Sequence, residues 1–119
     1  MYRVRVEAEF AAAHFLTHYR GKCERLHGHN YKVRVWARGE DLGPGGMLLD
    51  FGALKGELRS VLEDLDHSNL NEIALFEGDP SAERIAEYIF KRLAERMSGA
   101  PLEAVEVFET GTSMARYEP

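Results

Sequence analysis

Tyr2-Arg3-Val4-Arg5-Val6-Glu7-Ala8-Glu9-Phe10 alternates apolar and charged side chains without a break over residues 2–10. A period of two marks a strand with one face buried and the other in water. Tyr2, Val4, Val6, Ala8 and Phe10 form the apolar side; Arg3, Arg5, Glu7 and Glu9 form the polar one. The pattern returns over residues 29–38, where Tyr31, Val33, Val35 and Ala37 oppose Asn30, Lys32, Arg34 and Arg38. Residues 15–26 between these runs are polar and irregular and read as a loop. The turn cluster Glu40-Asp41-Leu42-Gly43-Pro44-Gly45-Gly46 ends the second strand.

Beyond Asp50, a plausible N-cap, the period changes. Phe51, Leu54, Leu58, Val61, Leu62 and Leu65 recur at helical spacing. A second helix follows Asp79-Pro80-Ser81, with Ile85, Ile89, Phe90, Leu93 and Met97 as its apolar stripe. Ser81 or Asp79 can cap it, Glu83 in its first turn suits the helix dipole, and Gly99 and Pro101 close it. Val105 with Val107, and then Met114 to Tyr117, read as two further strands joined through Gly111. The order is ββααββ: one α+β domain over residues 1–119, an antiparallel sheet with two helices on one face. Four strands leave edges that need covering, so association of copies by edge pairing is expected.

The 119 residues are 45% hydrophobic and 29% charged, enough for a core under a soluble surface. The net charge of −5 disfavours a nucleic-acid partner, which wants a basic face. Arg3, Arg5, Lys32, Arg34 and Arg38 are expected on a solvated sheet face, paired with Glu7 and Glu9. The N-terminus lacks the apolar stretch of a signal peptide and no run is long enough to span a bilayer, so no membrane association is expected. A single cysteine forms no internal disulfide, which suits the reducing cytoplasm.

That cysteine stands in Cys23-Glu24-Arg25-Leu26-His27-Gly28-His29, one thiol and two imidazoles within seven residues. If His27 and His29 begin the second strand, both rings point to the same face. His14, at the end of the first apolar run, can complete a three-nitrogen zinc site with one position open, the catalytic rather than the structural pattern. Cys23 has two options: a fourth, thiolate ligand closing the site, or a free base or nucleophile beside the metal. His18 reads as surface. Asp66-His67, at the end of the first helix, taken alone reads as a helix C-terminus with a stabilising histidine. Glu109, ending a strand before a glycine turn, is either solvated or an anchor for a ring with paired N–H donors.

Taken together, these residues resemble the 6-pyruvoyltetrahydropterin synthase family, most of all its 6-carboxytetrahydropterin synthase branch. Phe10-Ala11-Ala12-Ala13-His14 is similar to the family's F-x-A-A-H, and Cys23 to His29 to its C-x-x-x-H-G-H. Asp50-Phe51 with Leu54-Lys55 resembles D-F-x-x-L-K, and Leu65-Asp66-His67 with Leu70-Asn71 resembles L-D-H-x-x-L-N. Glu109-Thr110 with Ala115 and Tyr117 matches the closing segment. The resemblance implies His14, His27 and His29 as Zn2+ ligands, Cys23 as catalytic base, and Asp66 and His67 as its proton-transfer companions. It implies Glu109 as the pterin anchor, with Ser81 and Glu83 also at the substrate. Ala11 and Ala82 stand where the family often has hydroxyl residues. The implied fold is the tunnelling fold, whose sheets join into a trimeric barrel, two rings stacking as a homohexamer with pterin sites between subunits. Pyruvoyl synthases typically carry a longer gap between Cys and the first His, and a folate-pathway variant carries Glu in place of Cys. The three-residue gap favours the carboxy branch: a lyase converting 7,8-dihydroneopterin triphosphate to 6-carboxy-5,6,7,8-tetrahydropterin in queuosine biosynthesis. A non-catalytic module with a closed Cys and His metal site is the alternative of another class.

Overall fold

Two thirteen-residue strands, β1 (Tyr2–His14) and β2 (His27–Gly39), pair antiparallel along their whole length, from Tyr2 opposite Gly39 to His14 opposite His27. The computed structural model describes residues 1–16, 25–73, 76 and 79–119. Cys23 and His18, and most of the loop expected at 15–26, lie outside the described residues. Helix α1 (Phe51–Glu63) opens at Asp50, whose carboxylate accepts the Gly52 N–H at 2.8 Å. Helix α2 (Ala82–Arg96) opens at Ser81, whose hydroxyl accepts the Arg84 N–H at 3.3 Å, so serine supplies the cap. Gly99, at φ +87°, makes the left-handed turn that leads the chain from α2 into the sheet.

Between the helices lies a two-residue strand, β3 (Ser68–Asn69), parallel to β1 at Ala12 and Ala13. After α2 come β4 (Leu102–Thr110) and β5 (Ser113–Tyr117), and the sheet order is β3-β1-β2-β4-β5. The sheet thus has five strands rather than the expected four. The first helix stops at Glu63, short of the expected Leu65, and His67 takes a left-handed φ of +56°. A bond from the His67 N–H to the Ala11 carbonyl ties that turn to β1.

One face of the sheet carries both helices. Val6, Phe10, Tyr31, Val33, Val35, Val105 and Val107 from the strands meet Leu54, Leu58, Ile85, Ile89 and Leu93 from the helices, all buried. Fully burying such side chains contributes about 1.5–3 kcal/mol each before conformational entropy is charged against it. The helix-free face holds the charged halves of the alternating runs. Arg34 pairs with Glu7 at 2.6 Å, as expected, and β4 adds partners: Glu103 reaches Arg3 at 3.0 Å, and the buried Glu106 accepts from Trp36 Nε1 at 2.8 Å and from Arg116 at 3.0 Å. Among the described residues, no helix is long and apolar enough to cross a membrane.

Candidate active site

At the loop end of the β1–β2 hairpin the register sets His14 opposite His27 and Ala12 opposite His29. Alternation then turns all three imidazoles to the helix-covered face. Their ring centroids lie 4.5–5.1 Å apart, each pair edge to face, and one ligand nitrogen from each falls within 4.8 Å of the others. Two rings are oriented by main-chain carbonyls. His14, which is fully buried, donates from Nδ1 to the Pro80 carbonyl at 2.7 Å; His27 donates from Nδ1 to the Arg25 carbonyl at 2.7 Å. A carbonyl can only accept, so each ring carries a proton on Nδ1, which leaves Nε2 as the nitrogen that offers a lone pair when the ring is neutral. The Nε2 of His29 is buried with no hydrogen-bond partner. Burial holds the His29 pKa below its ordinary value, with the Glu109 charge opposing and the neighbouring His14 and His27 adding to the depression. A neutral imidazole is the ligand form, so a group of three convergent nitrogens, one of them orphaned, fits a divalent metal ion.

Ser81, Glu83 and Glu109 line one cavity of about 610 Å³, together with Leu16, Met114 and Arg116. The start of α2 supplies the first two, and the end of β4 supplies Glu109. Glu109 Oε1 stands 3.8 Å from His14 Nε2, so this cavity opens beside the three histidines. Ala82 lines it too, with a methyl group and no hydroxyl.

Asp66 and His67 form a direct pair, Oδ2 to Nδ1 at 3.0 Å. Successive residues of a helix diverge, but this pair sits in the turn after α1, and the left-handed His67 folds its ring back onto its neighbour. The other Asp66 oxygen accepts the Ala11 N–H at 2.8 Å. That bond, ahead of the contribution of His67, holds the Asp66 carboxyl below its usual value, so Asp66 is anchored as a carboxylate. His67 is largely exposed and borders a second cavity of about 520 Å³ with Ala11, Ala13, Gly28, Asn30 and His29. His67 therefore lines one cavity, and Glu109 lines another.

Residues 3–119 match the family described as 6-pyruvoyl tetrahydropterin synthase. The chain belongs to this family. A relative from Synechocystis sp., named 6-carboxy-5,6,7,8-tetrahydropterin synthase, is 43% identical over 123 residues, which cover 98% of this chain and 93% of the relative. One of the same name from Haemophilus influenzae is 32% identical, with 99% of each chain covered. The solved structure of Caenorhabditis elegans 6-pyruvoyl tetrahydropterin synthase superposes with a TM-score of 0.89 at 32% identity, over 99% of this chain and 95% of that one. Membership makes the protein a pterin-processing lyase with the tunnelling fold.

Several groups of this site were not foreseen from the sequence. The Pro80 and Arg25 carbonyls that orient the imidazoles carry no residue signature. Tyr31 is fully buried beneath the rings, edge-on to His14 at 5.8 Å and to His29 at 5.3 Å, and burial pushes its phenol pKa up. Its signal was available, since it follows His29 by two on the same strand and so shares its face.

Proposed function

We propose that this protein is a zinc-dependent lyase that converts 7,8-dihydroneopterin triphosphate to 6-carboxy-5,6,7,8-tetrahydropterin, releasing acetaldehyde and triphosphate, in the cytoplasmic pathway to queuosine and other 7-deazaguanines. The observation that carries the reading is the set of three convergent imidazole nitrogens beside a cavity bordered by Glu109. His14, His27 and His29 would hold the zinc, which when bound supplies a Lewis acid for the oxygens of the substrate side chain and makes the adjacent carbon acid easier to deprotonate. Glu109 offers the ring a carboxylate that accepts two N–H donors, and Ser81 and Glu83 border the same cavity. Cys23, as thiolate, takes a proton from the side chain. His67, oriented by Asp66, handles the second proton.

One chain holds Glu109 and His67 on different cavities. This division supports a homohexamer of two stacked trimers in which His67 serves a site between subunits, as does the position of β5 at the edge of the sheet among the described residues. A hexameric mass in solution at micromolar concentration is expected; a monomer would count against this assembly.

A pyruvoyl-forming activity is the second reading, favoured by the overlap with the C. elegans structure. Product analysis separates the two. Zinc-loaded protein incubated with dihydroneopterin triphosphate should release acetaldehyde together with a carboxylated tetrahydropterin, both identified by mass spectrometry. A pyruvoyl product without acetaldehyde would replace the carboxy reading.

A further inference from the structure

Phe15 is the first residue beyond the paired length of the hairpin, since the register of β1 and β2 ends at His14 opposite His27. Its main chain is nonetheless held on both sides by one side chain. The Phe15 N–H donates to Asn71 Oδ1 at 2.8 Å, and Asn71 Nδ2 donates to the Phe15 carbonyl at 2.9 Å. Asn71 is itself held, its own N–H donating to Asn69 Oδ1 at 3.1 Å. A side-chain amide has one accepting end and one donating end, so a single orientation satisfies both Phe15 groups, as a neighbouring strand would. The two bonds continue a series along the outer edge of β1. Asp66 and His67 take the N–H and the carbonyl of Ala11, and β3 pairs with Ala12 and Ala13. Residues 66–71 thus clasp the strand end from Ala11 to Phe15, with His14 inside the clasp.

Both chain neighbours of Phe15 belong to the sites described above. His14 is one of the three convergent imidazoles, and Leu16 lines the cavity that Glu109 borders. We infer that Asn71 is a positioning residue for the three-histidine centre: it fixes the two peptide groups that join Phe15 to His14 and to Leu16. The Pro80 carbonyl aims the His14 ring, and Asn71 holds the main chain from which that ring projects. Metal–nitrogen distances have to be met within about 0.2 Å, so a strand end released to swing costs affinity even with the ring's own hydrogen bond intact. The inference rests on the metal reading of the histidines.

The test measures zinc affinity of the full chain by competition with a chromogenic chelator, together with the visible d–d spectrum of the cobalt-loaded protein. Asn71→Ala should raise the zinc Kd about tenfold, the lower end of the span for groups that orient a ligand, and shift the cobalt bands. Asn71→Ser should do the same. Its hydroxyl suits the half-buried position, so it serves if the alanine variant does not fold, yet it is too short to pair both Phe15 groups. Ser68→Ala is the control for a merely structural role, because Ser68 Oγ donates to the Leu65 carbonyl at 2.6 Å, a bond that stays within the same segment. Its loss should lower the urea midpoint of the metal-free protein and leave the zinc Kd within twofold. Zinc Kd and cobalt bands unchanged in both Asn71 variants overturn the inference and leave the metal reading standing. An equal rise of Kd in S68A overturns it as well, since general loosening would then account for the effect. A wild-type protein that binds no zinc removes the metal reading, and the role of Asn71 falls with it.

Discussion

His14→Ala is expected to lose zinc and turnover together, and to lower the stability of the metal-free protein as well. The two losses have different physical origins. Orienting partners of a metal ligand are worth about 10–100-fold in affinity, so removal of a ligand itself should exceed about 100-fold. The stability loss comes from the other ring nitrogen. His14 Nδ1 is the donor to the Pro80 carbonyl at 2.7 Å, in a position with 1% exposure, where water cannot replace it. An acceptor left unsatisfied in such a place costs about 1–3 kcal/mol, and the cavity left by the ring adds to it. His27→Ala provides the contrast, because His27 is only half-buried and donates to Arg25, two residues away in the same chain. It should lose zinc to a similar degree while unfolding in urea, with chelator present, close to the wild-type midpoint. Zinc content after dialysis and urea unfolding of the metal-free proteins check both halves. Stoichiometric zinc retained by His14→Ala would remove it from the ligand set.

The difference between these two histidines is not legible in the chain alone. Alternation over residues 2–10 and 29–38 is enough to assign β1 and β2, and it carries His27 and His29 to one face. The three alanines 11–13 interrupt the polar and apolar contrast, so the continuation of β1 to His14 is visible only through its pairing with β2. Strand β3 is two polar residues held by hydrogen bonds to β1, and hydrophobic periodicity has nothing to register there. The Asp66–His67 pair is hidden for a related reason. Helical spacing separates adjacent side chains, and the positive φ that brings them together depends on bonds to Ala11, 55 residues distant for Asp66. Side-chain chemistry marks its own positions in a sequence. Main-chain acceptors such as the Pro80 carbonyl exist at every residue and are selected only by the fold.

Cys23→Ala should lower kcat by about 10²–10⁴-fold, the usual contribution of a positioned proton acceptor, while leaving zinc affinity within a few-fold of wild type. The two parts of this result separate the roles open to the thiol. Cys23 lies outside the described residues, four positions before His27 in the sequence. A thiolate ligand would close the centre as one cysteine and three histidines, the arrangement of a structural zinc site. Cys23→Ala would then cost zinc affinity heavily, and cobalt in the wild-type protein would show an intense thiolate charge-transfer band. A base standing free of the metal predicts the opposite: no such band, zinc retained, and turnover lost. The geometry of the described residues favours the second outcome. Three imidazole nitrogens already converge on one another without the thiol. Cys23→Ser sharpens the test further. The serine side chain is close in size and able to hydrogen-bond, but its hydroxyl is far less acidic than a thiol, whose pKa is near about 8.5. If proton removal is the function of Cys23, the serine variant should be nearly as inactive as the alanine one, with the Michaelis constant little changed. Recovery of turnover with serine would mean that the position shapes the site rather than moving the proton.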